Sequence, residues 1–138
     1  MSKVYTGQCA CGAVRIQAAG EPVAELHCQC RHCQLRSGTG HSSFTVFAGP
    51  EVVRIEGDTR SWSVTADSGN EKHQVFCPEC GTPTHVTFPD SPGVTAISAA
   101  LLDIASQFAP KFATYANSAL PWDSLDPALT QYSEMPAG

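Results

Sequence analysis

Basic side chains are scarce in this chain. Eight lysines and arginines stand against 13 aspartates and glutamates, a formal net charge of −5 over 138 residues. A general nucleic-acid binder carries a basic face, and an anionic membrane surface asks for the same, so neither partner is expected. Long apolar runs are missing too. Nothing in "MSKVYTGQCACG" at the N-terminus can serve as a signal peptide, and no stretch approaches the roughly 20 apolar residues of a membrane span. The expected compartment is the cytoplasm, where thiols stay reduced. The chain also lacks an internal repeat and any long segment with a 3.6-residue apolar period. Its length suits one hydrophobic core, so residues 1–138 are expected to form a single domain.

Cysteine is what the chain has in quantity. There are seven, an odd number that disulfides cannot fully pair. They fall in three groups: Cys9 and Cys11; Cys28, Cys30 and Cys33 within "HCQCRHC" (27–33); Cys77 and Cys80. Buried structural thiols scatter, whereas closely spaced cysteines can aim several sulfurs at one ion, and zinc takes thiolate readily. A redox Cys-x-x-Cys at Cys77–Cys80 needs a βαβ context that its flanks do not offer. Structural zinc sites close with four protein ligands, and catalytic ones keep three and leave a position open. Seven cysteines match one of each. On spacing alone two partitions stand. Cys28, Cys30 and Cys33 form one local set, leaving Cys9, Cys11, Cys77 and Cys80. Alternatively, Cys30, Cys33, Cys77 and Cys80 make a ribbon-like site.

The rest reads as β structure. Short segments rich in β-branched and aromatic residues lie at 12–18, 43–49, 51–57, 60–66, 72–77, 84–88, 94–99 and 111–116. Turn residues such as Gly49-Pro50, Gly57-Asp58 and Asp67-Ser68-Gly69-Asn70 separate several of them. Single helical turns are expected at 31–37 and 101–107. Strands this short and regular suggest a small all-β sheet pair or sandwich, with the proline-punctuated tail from Asn117 lying over the core.

"GQCACGAV" (7–14), "HCQCRHC" (27–33), "RSG" (36–38), "FCPECGTP" (76–83) and "NSALPW" (117–122), in that order, resemble the glutathione-dependent formaldehyde-activating enzyme family, which includes animal centromere protein V. The resemblance runs from about residue 5 to about residue 133. It implies a mainly β, mostly antiparallel architecture of the Mss4-like type with zinc sites. It also implies the first partition: a structural zinc on Cys9, Cys11, Cys77 and Cys80, and a second, more labile zinc in an open site on Cys28, Cys30 and Cys33. The implied reaction is the reversible joining of glutathione and formaldehyde to S-hydroxymethylglutathione, a carbon–sulfur lyase chemistry, with a small thiol such as glutathione as partner. Many relatives carry a lysine two residues past the third middle cysteine, where this chain has Leu35.

Ligand chemistry agrees with a thiol partner. Three thiolates on Zn²⁺ leave a net charge near −1, which weakens activation of a bound water and leaves a soft sulfur as a good fourth ligand. Water-activating deaminase sites pair zinc with a glutamate, and the middle cluster has none. His32 is a candidate acid–base group beside the open site. His27 sits in the cluster as well; His41, His73 and His85 are expected to be structural or exposed. Trp122 is expected to anchor on the core rather than to wall a substrate. Arg31, Arg36, Lys72 and Lys111 are expected as solvated charges, with contact to glutathione carboxylates the alternative role. Two other functions compete with the lyase: a non-catalytic two-zinc binding module, and a one-zinc domain whose middle cysteines sense oxidants.

Overall fold

The computed structural model describes residues 3–50, 52–66 and 68–136. The chain is mainly β, 41% strand and 12% helix. A hairpin of β1 (Val4–Gln8) and β2 (Arg15–Ala19) takes β5 (Val53–Glu56) as a third antiparallel strand. The remaining strands are β3 (Ala24–Cys28), β4 (Ser42–Ala48), β6 (Arg60–Thr65), β7 (Glu71–Phe76), β8 (Pro83–Thr87), β9 (Val94–Ser98), β10 (Phe112–Thr114) and β11 (Thr130–Gln131). They form one sheet in the order β11-β10-β3-β4-β9-β8-β7-β6. It is antiparallel except at β10, which runs parallel to both β3 and β11. One short helix, α1 (Arg31–Ser37), joins β3 to β4. Among the described residues no helix is long and apolar enough to cross a membrane.

Strand alternation builds a core on each face of the large sheet. β1 and β2 bury every second residue, so Tyr5, Ile16 and Ala18 face one way. They pack against Phe47 of β4 and Ile97 of β9, with Leu101 and Leu102 alongside. The Tyr5 and Phe47 rings meet edge to face at 5.2 Å. Phe44 and Val46, one position over on β4, point to the other face. There they join Leu26, Val86 and Ala96 around Cys28, Cys30 and Cys33. Cys9 and Cys77 belong to the first core.

The expected sheet pair is present, and most expected strands appear within a residue or two. The strand expected at 12–18 starts only at Arg15, because residues 9–14 form a turn. Position 51, in the expected 51–57 strand, and Asp67, in an expected turn, lie outside the described residues, as do both chain termini. The helical turn at 31–37 is α1. The one at 101–107 is instead a pair of 3-10 turns, Ala99–Leu101 and Ala105–Gln107. β1, β3 and β11 were not anticipated. The tail runs beside β10: Tyr132 N–H donates to Ala113 O at 2.9 Å, and Ala116 N–H to Tyr132 O at 2.9 Å. Its Thr130–Gln131 stretch extends the sheet at its edge as β11.

Candidate metal centres

Two cysteine turns face each other across the first core. After β1 the chain folds back, with Gly12 N–H donating to Cys9 O (3.1 Å), Cys9 N–H to Val14 O (3.0 Å), and Val14 N–H to Cys9 Sγ (3.2 Å). After β7 the same motif recurs: Gly81 N–H donates to Cys77 O (2.8 Å) and Cys77 N–H to Thr82 O (3.0 Å). Both turns close on a glycine in the left-handed region, Gly12 at φ 79° and Gly81 at φ 78°, where other residues carry a cost of roughly 1–2 kcal/mol. Thr82 ties the turns together. Its hydroxyl accepts from Ala10 N–H at 3.2 Å and lies 3.1 Å from Cys80 Sγ.

The result brings four sulfurs within 4.8 Å of one another: Cys9, Cys11, Cys77 and Cys80. Cys11 Sγ lies 3.7 Å from Cys9 Sγ and 3.7 Å from Cys77 Sγ. A tetrahedral zinc with Zn–S near 2.3 Å has sulfur–sulfur edges of about 3.8 Å, so this donor set fits zinc in size and chemistry. Its ionisation is lopsided. Thr82 pulls Cys80 down to about 5. The Ala13 N–H favours the Cys11 thiolate, yet desolvation and the three neighbouring thiols push Cys11 up to about 12. Four thiolates crowd together only if a cation joins them.

Cys28, Cys30 and Cys33 meet on the other face, their sulfurs also within 4.8 Å of one another. Cys28 ends β3. Cys30, in extended conformation, is the N-cap of α1, its sulfur accepting from Cys33 N–H at 3.4 Å. Cys33 follows one turn later. Buried glutamines hold this corner: Gln34 donates to Gln29 O and Ser118 O, each at 2.9 Å, and Gln29 N–H donates to Thr114 O at 3.0 Å. Ser42 Oγ donates to Cys33 O at 2.8 Å.

Cys30 is pushed down to about 2 by the thiols of Cys28 and Cys33, with the Lys72 charge adding to them. Lys72 Nζ lies 3.8 Å from its sulfur. Cys28 and Cys33 are raised in turn by their cysteine neighbours. A soft divalent ion fits this set of three sulfurs, one donor short of a tetrahedron. Exposure runs against the simple open-versus-closed expectation. All three of these cysteines are at most 8% exposed, whereas Cys11 and Cys80 of the four-sulfur set are exposed.

The surrounding residues depart from expectation in several places. Arg36 is not a solvated charge. It is largely buried, its guanidinium 4.9 Å over the Phe44 ring, with Nη2 donating to Ser98 Oγ; burial lowers it to about 10. Burial, with the Arg36 charge, also lowers His85 to about 4. Trp122 is 67% exposed and anchors nothing in either core. His27 lies one position from Cys28 on β3 and so on the opposite face, where its Nδ1 is 2.8 Å from Ser43 Oγ and its ring packs on His41. His41 Nδ1 pairs with Asp123 Oδ2 at 2.7 Å. His32 is half-buried on α1. Sequence reasoning gave no role to Asp123, Gln74 or Thr114, because nothing in their local sequence signals a partner so far along the chain.

Residues 4–118 match a protein family described as "Glutathione-dependent formaldehyde-activating enzyme". No curated protein matches the chain. Among solved structures, the crystal structure of a Rhodobacter sphaeroides protein, a structural-genomics target, is similar with a TM-score of 0.57 at 18% identity, over 92% of this chain and 98% of that one. At that identity the likeness concerns the fold.

Proposed function

Because the chain belongs to the glutathione-dependent formaldehyde-activating enzyme family, we propose that it is a zinc-dependent carbon–sulfur lyase-type enzyme. Its substrate in this reading is an adduct of glutathione or a similar thiol, such as S-hydroxymethylglutathione. One observation carries this: three buried sulfurs, Cys28, Cys30 and Cys33, converge within 4.8 Å with one tetrahedral corner left for a ligand. Zinc held there supplies a soft acceptor that favours a thiol's ionised form at neutral pH. Lys72, at 3.8 Å from Cys30 Sγ, adds positive charge beside that corner. In the lyase direction the adduct's C–S bond breaks with its electron pair staying on sulfur, formaldehyde leaves, and the hydroxyl proton passes to a base. His32 on α1 is assigned that proton. Cys9, Cys11, Cys77 and Cys80 are assigned a structural zinc. The reading takes residues 1–138 as a single cytoplasmic domain.

The test is exchange between ¹³C-formaldehyde and glutathione, followed by NMR with zinc-loaded protein. Exchange faster than the spontaneous rate is expected, with loss on Cys33→Ser. No acceleration at full zinc occupancy overturns the lyase. The burial of Cys28, Cys30 and Cys33 favours a second reading, a non-catalytic two-zinc module. That reading predicts a cobalt-substituted protein whose visible bands glutathione leaves unchanged at millimolar concentration.

A further inference from the structure

The three-cysteine corner is rich in positive charge and polar groups that lack partners. Among the described residues, the buried side-chain polar atoms without a hydrogen-bond partner are Arg36 Nε, both amide atoms of Gln74, and Thr114 Oγ1. All three residues adjoin this corner. Thr114 pairs with Cys28 across β10 and β3. Gln74, 2% exposed, aligns with Val86 and Ala96 on the face that carries the cysteines. It stands two residues along β7 from Lys72, whose Nζ reaches Cys30 Sγ at 3.8 Å. Buried groups of this kind cost stability unless something meets them.

Neither cation has an acidic partner. The ion pairs among the described residues are His41–Asp123 and His73–Glu71, so no carboxylate neutralises Arg36 or Lys72 within bonding distance. Their counter-charge is the sulfur cluster. Three thiolates with a divalent metal carry a net charge near −1, which leaves about one positive charge over. A fourth, anionic ligand brings the centre near −2, and the two cations then balance it. The four-sulfur cluster would carry a similar charge, yet among the described residues none of its hydrogen bonds comes from a lysine or arginine. Its Cys11 and Cys80 are open to water, which does the screening there.

We propose that Arg36 and Lys72 set the charge of the three-cysteine centre so that its fourth ligand is an anion, with Lys72 the positioning residue that favours a thiolate over a neutral donor. This rests on the reading that Cys28, Cys30 and Cys33 hold a divalent metal. It also reassigns Arg36: seated over Phe44 and bonded to Ser98, it acts on the centre through its charge and not by gripping a substrate carboxylate.

The test uses the full chain loaded with cobalt and reads its visible bands. Azide, and 2-mercaptoethanol bound as its thiolate with the proton released to solvent, serve as anionic probes, imidazole as a neutral one. Lys72→Met is expected to weaken both anionic probes about tenfold and to leave imidazole unchanged, while Lys72→Arg keeps the wild-type order. Arg36→Met is expected to act in the same direction, with a thermal melt confirming that it folds. Equal weakening of imidazole, or no change in any probe, overturns the charge assignment. So does a centre that takes imidazole but neither anion. If 2-mercaptoethanol binds and depends on Lys72 while glutathione does not bind, the charge assignment stands and the glutathione reading falls.

Discussion

Cys30 belongs to two structures at once. Its sulfur caps α1 and also joins the three-sulfur cluster. Serine is a good N-cap but a poor zinc ligand, so the two roles separate by substitution. Cys30→Ser is expected to remove one metal per chain with little change in melting temperature of the metal-free protein. Cys30→Ala should lose the same metal and a further ~1 kcal/mol of stability; identical melts for the two would deny the cap. Gly81 has a simpler test. Nothing lies within 4 Å of a Cβ built there, so only its φ of 78° opposes a side chain. Gly81→Ala should cost about 1–2 kcal/mol, measured by denaturant unfolding. His85 gives a pH signature. Its folded pKa, about 4, lies below the ordinary 6.5, so the unfolded chain binds the extra proton first. Stability is therefore lost as pH falls from about 6.5 towards 4, by at most about 3 kcal/mol. His85→Gln should flatten that slope relative to wild type over the same window, and parallel slopes would show that His85 is not its source.

At the scale of elements, the four-sulfur cluster links the β1–β2 turn of the small sheet to the β7–β8 turn of the large one, with Cys11 and Cys77 66 residues apart in sequence. Metal bound there is expected to act as folding free energy. Serine at Cys9, Cys11, Cys77 or Cys80 should cost at least about 2 kcal/mol in zinc-loaded protein, whereas serine at Cys28 or Cys33 should cost less and remove one metal. Thermal melts with metal analysis decide it; the reverse pattern would mean the structural role lies with the middle cysteines. The sequence announced some of these elements and hid others for physical reasons. β4 and β9 show their β-branched and aromatic residues plainly. β3, "AELHC", has no clean alternation: its first four residues are all half-buried. β11 is two residues long, too short for a periodic signal. The cysteine spacing left two groupings; the family resemblance implied one of them, and the fold places Cys30 and Cys33 on the opposite face from Cys77. Lys72 could not be read as a neighbour of Cys30, because that contact spans 42 residues and arises from the way the sheet places β7 near α1.

For the whole molecule, the eight-stranded sheet is a partition with a cysteine cluster in the core on each side. Equilibrium and access then favour different orders of metal loss. Three protein sulfurs hold an ion less tightly than four, so equilibrium competition with a chelator is expected to empty the Cys28, Cys30 and Cys33 centre first. The exposed Cys11 and Cys80 instead invite rapid attack on the other cluster. Graded chelation to equilibrium, with metal counted at each step, should show two plateaus per chain; a single step from two ions to none would deny that the centres differ. The parallel pairing of β10 with β3 has a consequence for synthesis. A chain emerging from the ribosome has all four sulfurs of the four-sulfur corner, and the Thr82 that ties its turns together, once position 82 is clear. The other corner is built early in its cysteines but late in its walls: Gln29 waits for the Thr114 carbonyl and for Gln131, which accepts from its amide at 3.2 Å. One ion can thus be gathered well before the seat for the second is finished, which waits until residue 131 has been made.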